Sequence, residues 1–442
     1  MSLNRQSFLA SSLGAAGALA TGGIGLPLAA EAQATIGNFP AGAQGSSIFV
    51  GLCCPLTGSY SADGEDQRKG YELAIEDLNN NTGVMAKIPS LRGKKGLLGK
   101  HITYKVADTE TNANTATQRA NEFIAKNKAI MFAGGVSTAE TIAMQGVGQQ
   151  QKVLFMDGAS GSNDTTGKDC QRYGFRSQCD AYMVAKAMAP ILAGKLGKNR
   201  RAIMLVPNYS YGLTLASSMR EFCQKEGWTV LPDVVAPFPS PGDFSSYLTN
   251  IANSNADTFI NIEFGNDGIA STKQAAQFGI LKKMQLVVPN ISTYLADGVG
   301  ADIMNGVYGT LEWYWRLQDH FPLSKDFIAA FDRKYSTRPR WTAHISYAQL
   351  AIWADAVTRT NSFNPVDIIK YLEAGHPIEL MLGKVHYRAE DHQQVRPVPV
   401  VLGKPKSKMQ AGDDFFDIVA IVPGESVMQP LDTTNCKLPG YT

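Results

Sequence analysis

Short apolar runs alternate along this chain with longer amphipathic stretches. Ser47–Leu52 is an apolar run ending in Cys53-Cys54-Pro55-Leu56-Thr57-Gly58. In Gly64–Asn79, Tyr71, Ala74, Ile75 and Leu78 recur at the i, i+3, i+4, i+7 spacing of one helix face. Asn80–Lys100, rich in Gly and Lys, reads as an exposed loop. His101–Ala107 alternates Ile102, Tyr104 and Val106 as a strand does. A helix over Asn112–Lys126, a strand at Ala129–Ala133, a helix over Ser137–Gln150 and a strand at Val153–Met156 follow. The rhythm restarts after Cys170–Cys179. Helices over Asp180–Gly197, Gly212–Glu226, Asp243–Ser254 and Ile269–Phe278 are interleaved with strands at Ala202–Val206, Thr229–Val235, Asp257–Glu263 and Gln285–Val288. Regular strand–helix alternation implies parallel sheets covered by helices on both faces, and two such sets imply two α/β lobes. Three helices, Ser324–Tyr335, Trp341–Thr360 and Pro365–Ala374, then precede strands at Gly383–Tyr387, Val398–Leu402 and Phe416–Val422. Pro399 marks the second of these as an edge strand.

Composition narrows the class. The 442 residues carry 41 basic and 39 acidic side chains, a balance that gives no reason to expect nucleic acid or an anionic membrane as a partner. Residues 1–34 read as an export signal. Arg5 supplies the positive start, Phe8–Ala30 holds no charge, and Ala32/Ala34 or Ala30/Ala32 offers Ala-x-Ala for cleavage. The uncharged stretch is mostly Ala, Gly, Ser and Thr, which argues against a membrane anchor. Asn4-Arg5-Gln6-Ser7-Phe8-Leu9 resembles a degenerate twin-arginine signal, with Gln6 where the second Arg would stand, so the export route stays open. The expected location is the periplasm. Six cysteines (Cys53, Cys54, Cys170, Cys179, Cys223, Cys436) allow 15 pairings, of which Cys170–Cys179 is the easiest local one.

In open parallel sheets, ligands sit beyond the carboxyl ends of the strands. Those loops are Pro55–Tyr60, Gly134–Ala139 and Asp157–Ser162 in the first set, and Pro207–Gly212, Glu263–Asn266 and Asn290–Tyr294 in the second. The first set is rich in Gly, Ser and Thr, which bring backbone N–H groups and hydroxyls to a ligand. The second offers tyrosines and one carboxylate. The candidate ligand contacts are Tyr60, Ser137, Thr138, Ala159, Ser160 and Ser162 on one wall, and Tyr211, Glu263, Asn266 and Tyr294 on the other. Ser137 and Ser160 also suit helix caps, and one hydroxyl can cap and bind. Trp313-Tyr314-Trp315 either packs or joins a cleft wall.

Signals for catalysis are weak. Gly158-Ala159-Ser160-Gly161-Ser162 nearly matches a nucleophile elbow, but Ser162 replaces the last Gly. No phosphate-binding loop, dinucleotide fingerprint or metal-ligand spacing is present, so neither a cofactor nor a metal is expected.

The chain resembles the type I periplasmic solute-binding proteins of ABC importers, the leucine/isoleucine/valine-binding family. The carriers are Pro55-Leu56-Thr57-Gly58 with Gly64, Gly70 and Ala74, then Asp108, Gly135-Val136-Ser137-Thr138, Phe175-Arg176, Tyr211-Gly212 and Asp391-His392-Gln393. The resemblance implies two Rossmann-like lobes joined by a three-crossing hinge near Phe175, Glu312 and Gly383. Lobe 1 would comprise residues 47–174 plus 313–383, lobe 2 residues 175–312 plus 384–425, with a tail over 426–442. It also implies ligand carboxylate and ammonium contacts from Ser137 and Ala159–Ser162, a second-lobe contact from Tyr211, and Glu263 as candidate ammonium partner. The hydroxyl usual in the family falls near Gly161, with Ser162 one step on. The function so implied is capture of an amino acid or similar small polar solute by hinge closure, without catalysis, and delivery to a membrane permease. Urea, short amides or aromatic acids are alternative ligands. A sensor is an alternative role, and an exported hydrolase has the least support.

Overall fold

A computed structural model describes residues 43–441; the export signal lies outside the described residues. Strands β1 (Ser47–Cys54), β2 (His101–Asp108), β3 (Met131–Gly134), β4 (Leu154–Asp157) and β5 (Gly174–Arg176) form one parallel sheet in the order β2-β1-β3-β4-β5. Between them run α1 (Ser61–Asn80), α2 (Ala113–Asn127) and α3 (Thr138–Gln151). Phe123 of α2 and Met144 of α3 pack with Phe132 and Phe155 on one face of the sheet.

The second set comprises α4 (Ala181–Leu196), β6 (Arg201–Pro207), α5 (Ser210–Lys225), β7 (Thr229–Val230), β8 (Val234–Ala236), α6 (Ser245–Ala252), β9 (Thr258–Asn261), α7 (Gly265–Gln277), β10 (Gln285–Asn290), α8 (Thr293–Val299), α9 (Ala301–Met304) and β11 (Tyr308–Thr310). Then come α10 (Pro322–Tyr335), α11 (Trp341–Thr360), α12 (Pro365–Glu373), β12 (Ile378–Leu380), β13 (Gly383–Tyr387), β14 (Gln394–Val395), β15 (Val398–Gly403) and β16 (Phe416–Val422). The second sheet runs β16-β15-β11-β10-β9-β6-β7, with β8 also paired to β6. Strand β6 shows why a continuous apolar run suits a sheet covered on both faces. Ala202, Met204 and Val206 pack towards α4 and α5, whereas Ile203 and Leu205 pack towards α6 and α7. Helix α11 returns to the first sheet and lies along α1, where the Tyr71 hydroxyl donates to Gln349 at 2.7 Å.

Four expectations are corrected. Residues 80–100 are not a solvated loop. Val84, Met85, Ile88, Leu91 and Leu97 are buried among the Gly and Lys residues, and Asn81 Nδ2 donates to the Leu91 carbonyl at 2.8 Å. Strand β15 is internal, pairing with β11 and β16; it tolerates Pro399 beside a register shift at Val400/Val401. Strand β13 pairs with β12 and β14 in a small antiparallel sheet, so the third passage between the large sheets falls at Arg396, between β14 and β15, and not at Gly383. Cys170 is bonded to Cys436 and not to Cys179, because the C-terminal segment returns to the first sheet. Arg172 Nε donates to the Pro439 carbonyl there at 2.9 Å, and the Tyr173 hydroxyl to that of Tyr441 at 2.7 Å. Cys53, Cys54, Cys179 and Cys223 are buried free thiols.

Candidate functional site

The carboxyl ends of both sheets face one another. On the first sheet, Asp108 at the end of β2 organises the turn after β1. Its Oδ1 accepts the Leu56 N–H at 2.9 Å, and its Oδ2 accepts the Thr57 hydroxyl at 2.8 Å. Gly64 lets α1 press onto that turn, since a Cβ there would stand 1.8 Å from the Pro55 carbonyl oxygen. Together these place Tyr60 at the mouth of α1. Ser137 caps α3 in a reciprocal box. Its Oγ accepts the Glu140 N–H at 3.2 Å, and Glu140 accepts the Ser137 N–H at 2.9 Å. After β4, Asp157 Oδ1 accepts the Ser160 N–H at 3.1 Å, and the Ser160 hydroxyl pairs with Thr165 at 2.5 Å. Burial pushes the Asp157 carboxyl up to about 7 against the pull of Arg176.

Between the sheets lies a small void, tight enough that a water-sized sphere barely fits. Tyr60, Val136, Thr138, Ala159 and Gly161 line it from the first sheet, and Tyr209, Tyr211, Phe264 and Asn290 from the second. Gln178, on the first passage between the sheets, and Trp341, at the start of α11, complete it. The aromatic rings meet edge to face: Tyr60–Phe264 at 5.6 Å, Tyr211–Phe264 at 6.3 Å and Phe264–Trp341 at 5.8 Å. Trp341 is held by α1, where Asp63 Oδ1 accepts its Nε1–H at 2.8 Å. Burial raises Asp63 to about 7, against the Trp341 hydrogen bond.

Polar contacts tie the two sides around this void. The Tyr60 and Tyr209 hydroxyls meet at 2.8 Å, and those of Ser162 and Ser210 at 2.6 Å. Asn163 Nδ2 donates to the Ser218 hydroxyl at 3.1 Å, and the Asn266 N–H to the Ser59 carbonyl at 3.2 Å.

Of the sequence candidates, Tyr60, Thr138, Ala159 and Tyr211 line the void. Ser137 and Ser160 are buried outside the lining, Ser137 Oγ accepting the Glu140 N–H and the Ser160 hydroxyl pairing with Thr165, and Ser162 bonds Ser210 across the rim. Glu263 is buried beside Phe264 without lining the void. Its Oε1 has no partner, and burial followed by the nearby Asp267 pushes the carboxyl up to about 8. Asn266 is exposed on its side-chain face. Tyr294 is half-buried under the Arg340 guanidinium, 4.2 Å from its ring centre. Trp313–Trp315 line a separate depression with Arg338 and Arg340. Tyr209, Phe264 and Asn290 fall in the strand-end loops singled out from sequence. Gln178 and Trp341 do not, since an inter-sheet passage and a late helix carry them. Ser160 is bonded to Thr165 and Thr138, with no histidine among its partners. Among the described residues no cluster of His, Cys, Asp and Glu is placed to hold a metal.

A family model described as periplasmic binding protein matches residues 47–408. The chain belongs to this family. Leu/Ile/Val-binding protein homolog 8 of Brucella abortus is 24% identical over 345 residues, spanning 74% of this chain and 80% of that protein. An amino acid ABC transporter substrate-binding protein from Pseudomonas fluorescens has the same fold, with TM-score 0.78 at 24% identity over 89% of this chain and 99% of its own. A solute binding protein of an ABC transporter from Rhodopseudomonas palustris, in complex with 3,4-dihydroxy benzoic acid, superposes with TM-score 0.74 at 19% identity, covering 88% of this chain and 100% of its own. Among the described residues no helix is long and apolar enough to cross a membrane.

Proposed function

We propose that this periplasmic binding protein is exported by a cleaved N-terminal signal, traps a small organic solute between two lobes built on its two sheets, and passes it unchanged to the permease of an ABC importer. The observation that carries this reading is the void itself: strand-end residues of both sheets wall it, so closing the sheets together encloses whatever lies there.

The walls favour a ligand with an aromatic or otherwise apolar body. Five aromatic side chains line the void, and no Lys, Arg, Asp or Glu does. A buried ammonium needs a counter-charge. Glu263 stands behind the lining and keeps its proton up to about pH 8, which disfavours the zwitterion of an aliphatic amino acid. A carboxylate would find backbone N–H groups at the start of α3. That the Rhodopseudomonas palustris neighbour is in complex with an aromatic acid is consistent with this reading.

Calorimetry and small-angle scattering with benzoate, benzamide, leucine and urea test it. The ring compounds should bind more tightly than leucine and shrink the scattering radius. Phe264→Ala should weaken that binding roughly 30-fold, the equivalent of about 2 kcal/mol. Leucine binding tighter than both ring compounds would reverse the ligand assignment, and no compaction with any of the four would remove solute capture.

A further inference from the structure

Gln178 lies in the passage between β5 and α4 and is 1% exposed. Its backbone is fixed: its carbonyl accepts Gln393 Nε2–H at 2.8 Å, and Gln393 Oε1 in turn accepts Arg176 Nε–H at 2.7 Å. Its side chain lines the void with Nε2 towards Gly161, and its Oε1 is buried without a partner. Among the described residues lining the void, Gln178 is the one with such an orphaned atom. Native proteins rarely leave a buried amide oxygen unpaired, and an orphan beside a binding cavity marks where a ligand donor belongs.

Gly161 faces the same corner. A Cβ there would stand 3.0 Å from the Tyr211 ring and 3.3 Å from Gln178 Nε2, so the missing side chain keeps a gap open between ring and amide. The backbone of Gly161 is not in the left-handed region, so alanine meets no strain there beyond this contact.

We infer that Gln178 is a specificity-determining residue of this binding protein: it selects small ring-shaped solutes that carry a hydroxyl or N–H donor, which its Oε1 accepts. The inference rests on the reading of the void as the solute site. A ring without a donor leaves the acceptor unsatisfied and binds more weakly.

The test uses the full chain and a matched pair of probes, benzoate and 4-hydroxybenzoate, with leucine as a third. Wild type should prefer the hydroxylated ring by about tenfold. Gln178→Met, similar in volume but no acceptor, should abolish that preference by weakening the hydroxylated ring alone. Gln178→Glu should retain the preference, because the carboxylate still accepts. Gly161→Ala should weaken both rings together. The ligand-free melting temperature gives a second readout: Gln178→Met should hold or raise it, since an unpaired oxygen is removed, whereas a structural glutamine would lower it. An equal preference in wild type and Gln178→Met, or a lowered melting temperature, overturns the assignment and leaves solute capture standing. Absence of binding by all three probes overturns both.

Discussion

At the passages between the sheets, buried charges are paired; beside the void, oxygens of Gln178 and Glu263 have no partner. Arg396 reaches Glu312 at 3.1 Å and the Ser177 carbonyl at 3.1 Å, so it touches all three passages at once. Arg176 binds Gln393 and pairs with Asp180 at 3.4 Å. Next to it, His392 stacks on Phe175 at 3.9 Å and reaches Glu373 at 2.9 Å. Gln178 and Glu263 each keep an oxygen without a partner, and so does Asp267. The two regions are similarly buried, so burial alone does not mark function. What separates them is charge pairing: the first region sets Arg396 against Glu312 and Arg176 against Asp180, although Arg396 Nε itself has no partner, whereas Glu263 has no cation beside it. The ion pairs of the first region fix where the sheets meet.

The largest effect should come from breaking the paired region. Arg396→Met leaves Glu312 buried and uncompensated, and should cost about 3–5 kcal/mol in urea unfolding. Adding Glu312→Gln should recover part of that loss. If the single variant is as stable as wild type, the passages are not held by this pair and the contrast with the void loses its basis.

A smaller loss should follow from cutting the tail. Cys436 is bonded to Cys170 across 266 residues of sequence, and the segment that carries it covers Arg172, Tyr173 and Glu373. Cys170→Ser with Cys436→Ser should cost about 2–4 kcal/mol. The loss should appear as a lower melting temperature that reductant no longer affects. Ligand affinity should stay near wild type, because no residue of this tail lines the void.

The sheets were legible because strand–helix alternation depends on local pattern, and the loops that approach the void follow from where parallel strands end. Tyr60, Thr138, Ala159 and Tyr211 were found that way. Residues placed by tertiary packing were not. Trp341 enters because α11 lies along α1 and Asp63 catches its indole; nothing local to Trp341 announces that. Gln178 falls where the strand–helix rhythm is interrupted, outside every strand-end loop, so nothing local points to it. The segment 80–100 shows the same limit from the other side. Its Gly and Lys residues signal exposure, while its scattered Val, Met, Ile and Leu find a core only after the chain has folded. Cys436 could be paired only by knowing where the tail runs.

The contrast sharpens to a pair of glutamates with opposite pH behaviour. Burial tends to raise the Glu373 carboxyl, but hydrogen bonds from His392, Tyr441 and Arg172 outweigh it and bring it down to about 2. Its contribution is therefore present above the ordinary carboxylate range and is lost as pH falls towards 2. Glu263 has no such donors, and burial with Asp267 beside it lifts it to about 8. Here the folded state holds a proton that the unfolded chain releases above about 4.3, so stability falls as pH rises through the interval up to about 8. Compared with wild type, Glu263→Gln should therefore gain stability steadily across that interval, by at most about 1.4 kcal/mol per pH unit, and level off beyond it. Glu373→Gln should instead be the weaker protein at pH 7, with its deficit shrinking below pH 4. Unfolding of the three proteins between pH 2 and 9 separates these slopes from every titration they share. Parallel curves for wild type and Glu263→Gln would mean that Glu263 is ionised and solvated in the folded chain, and the void would then have a charged neighbour able to receive an ammonium group after all.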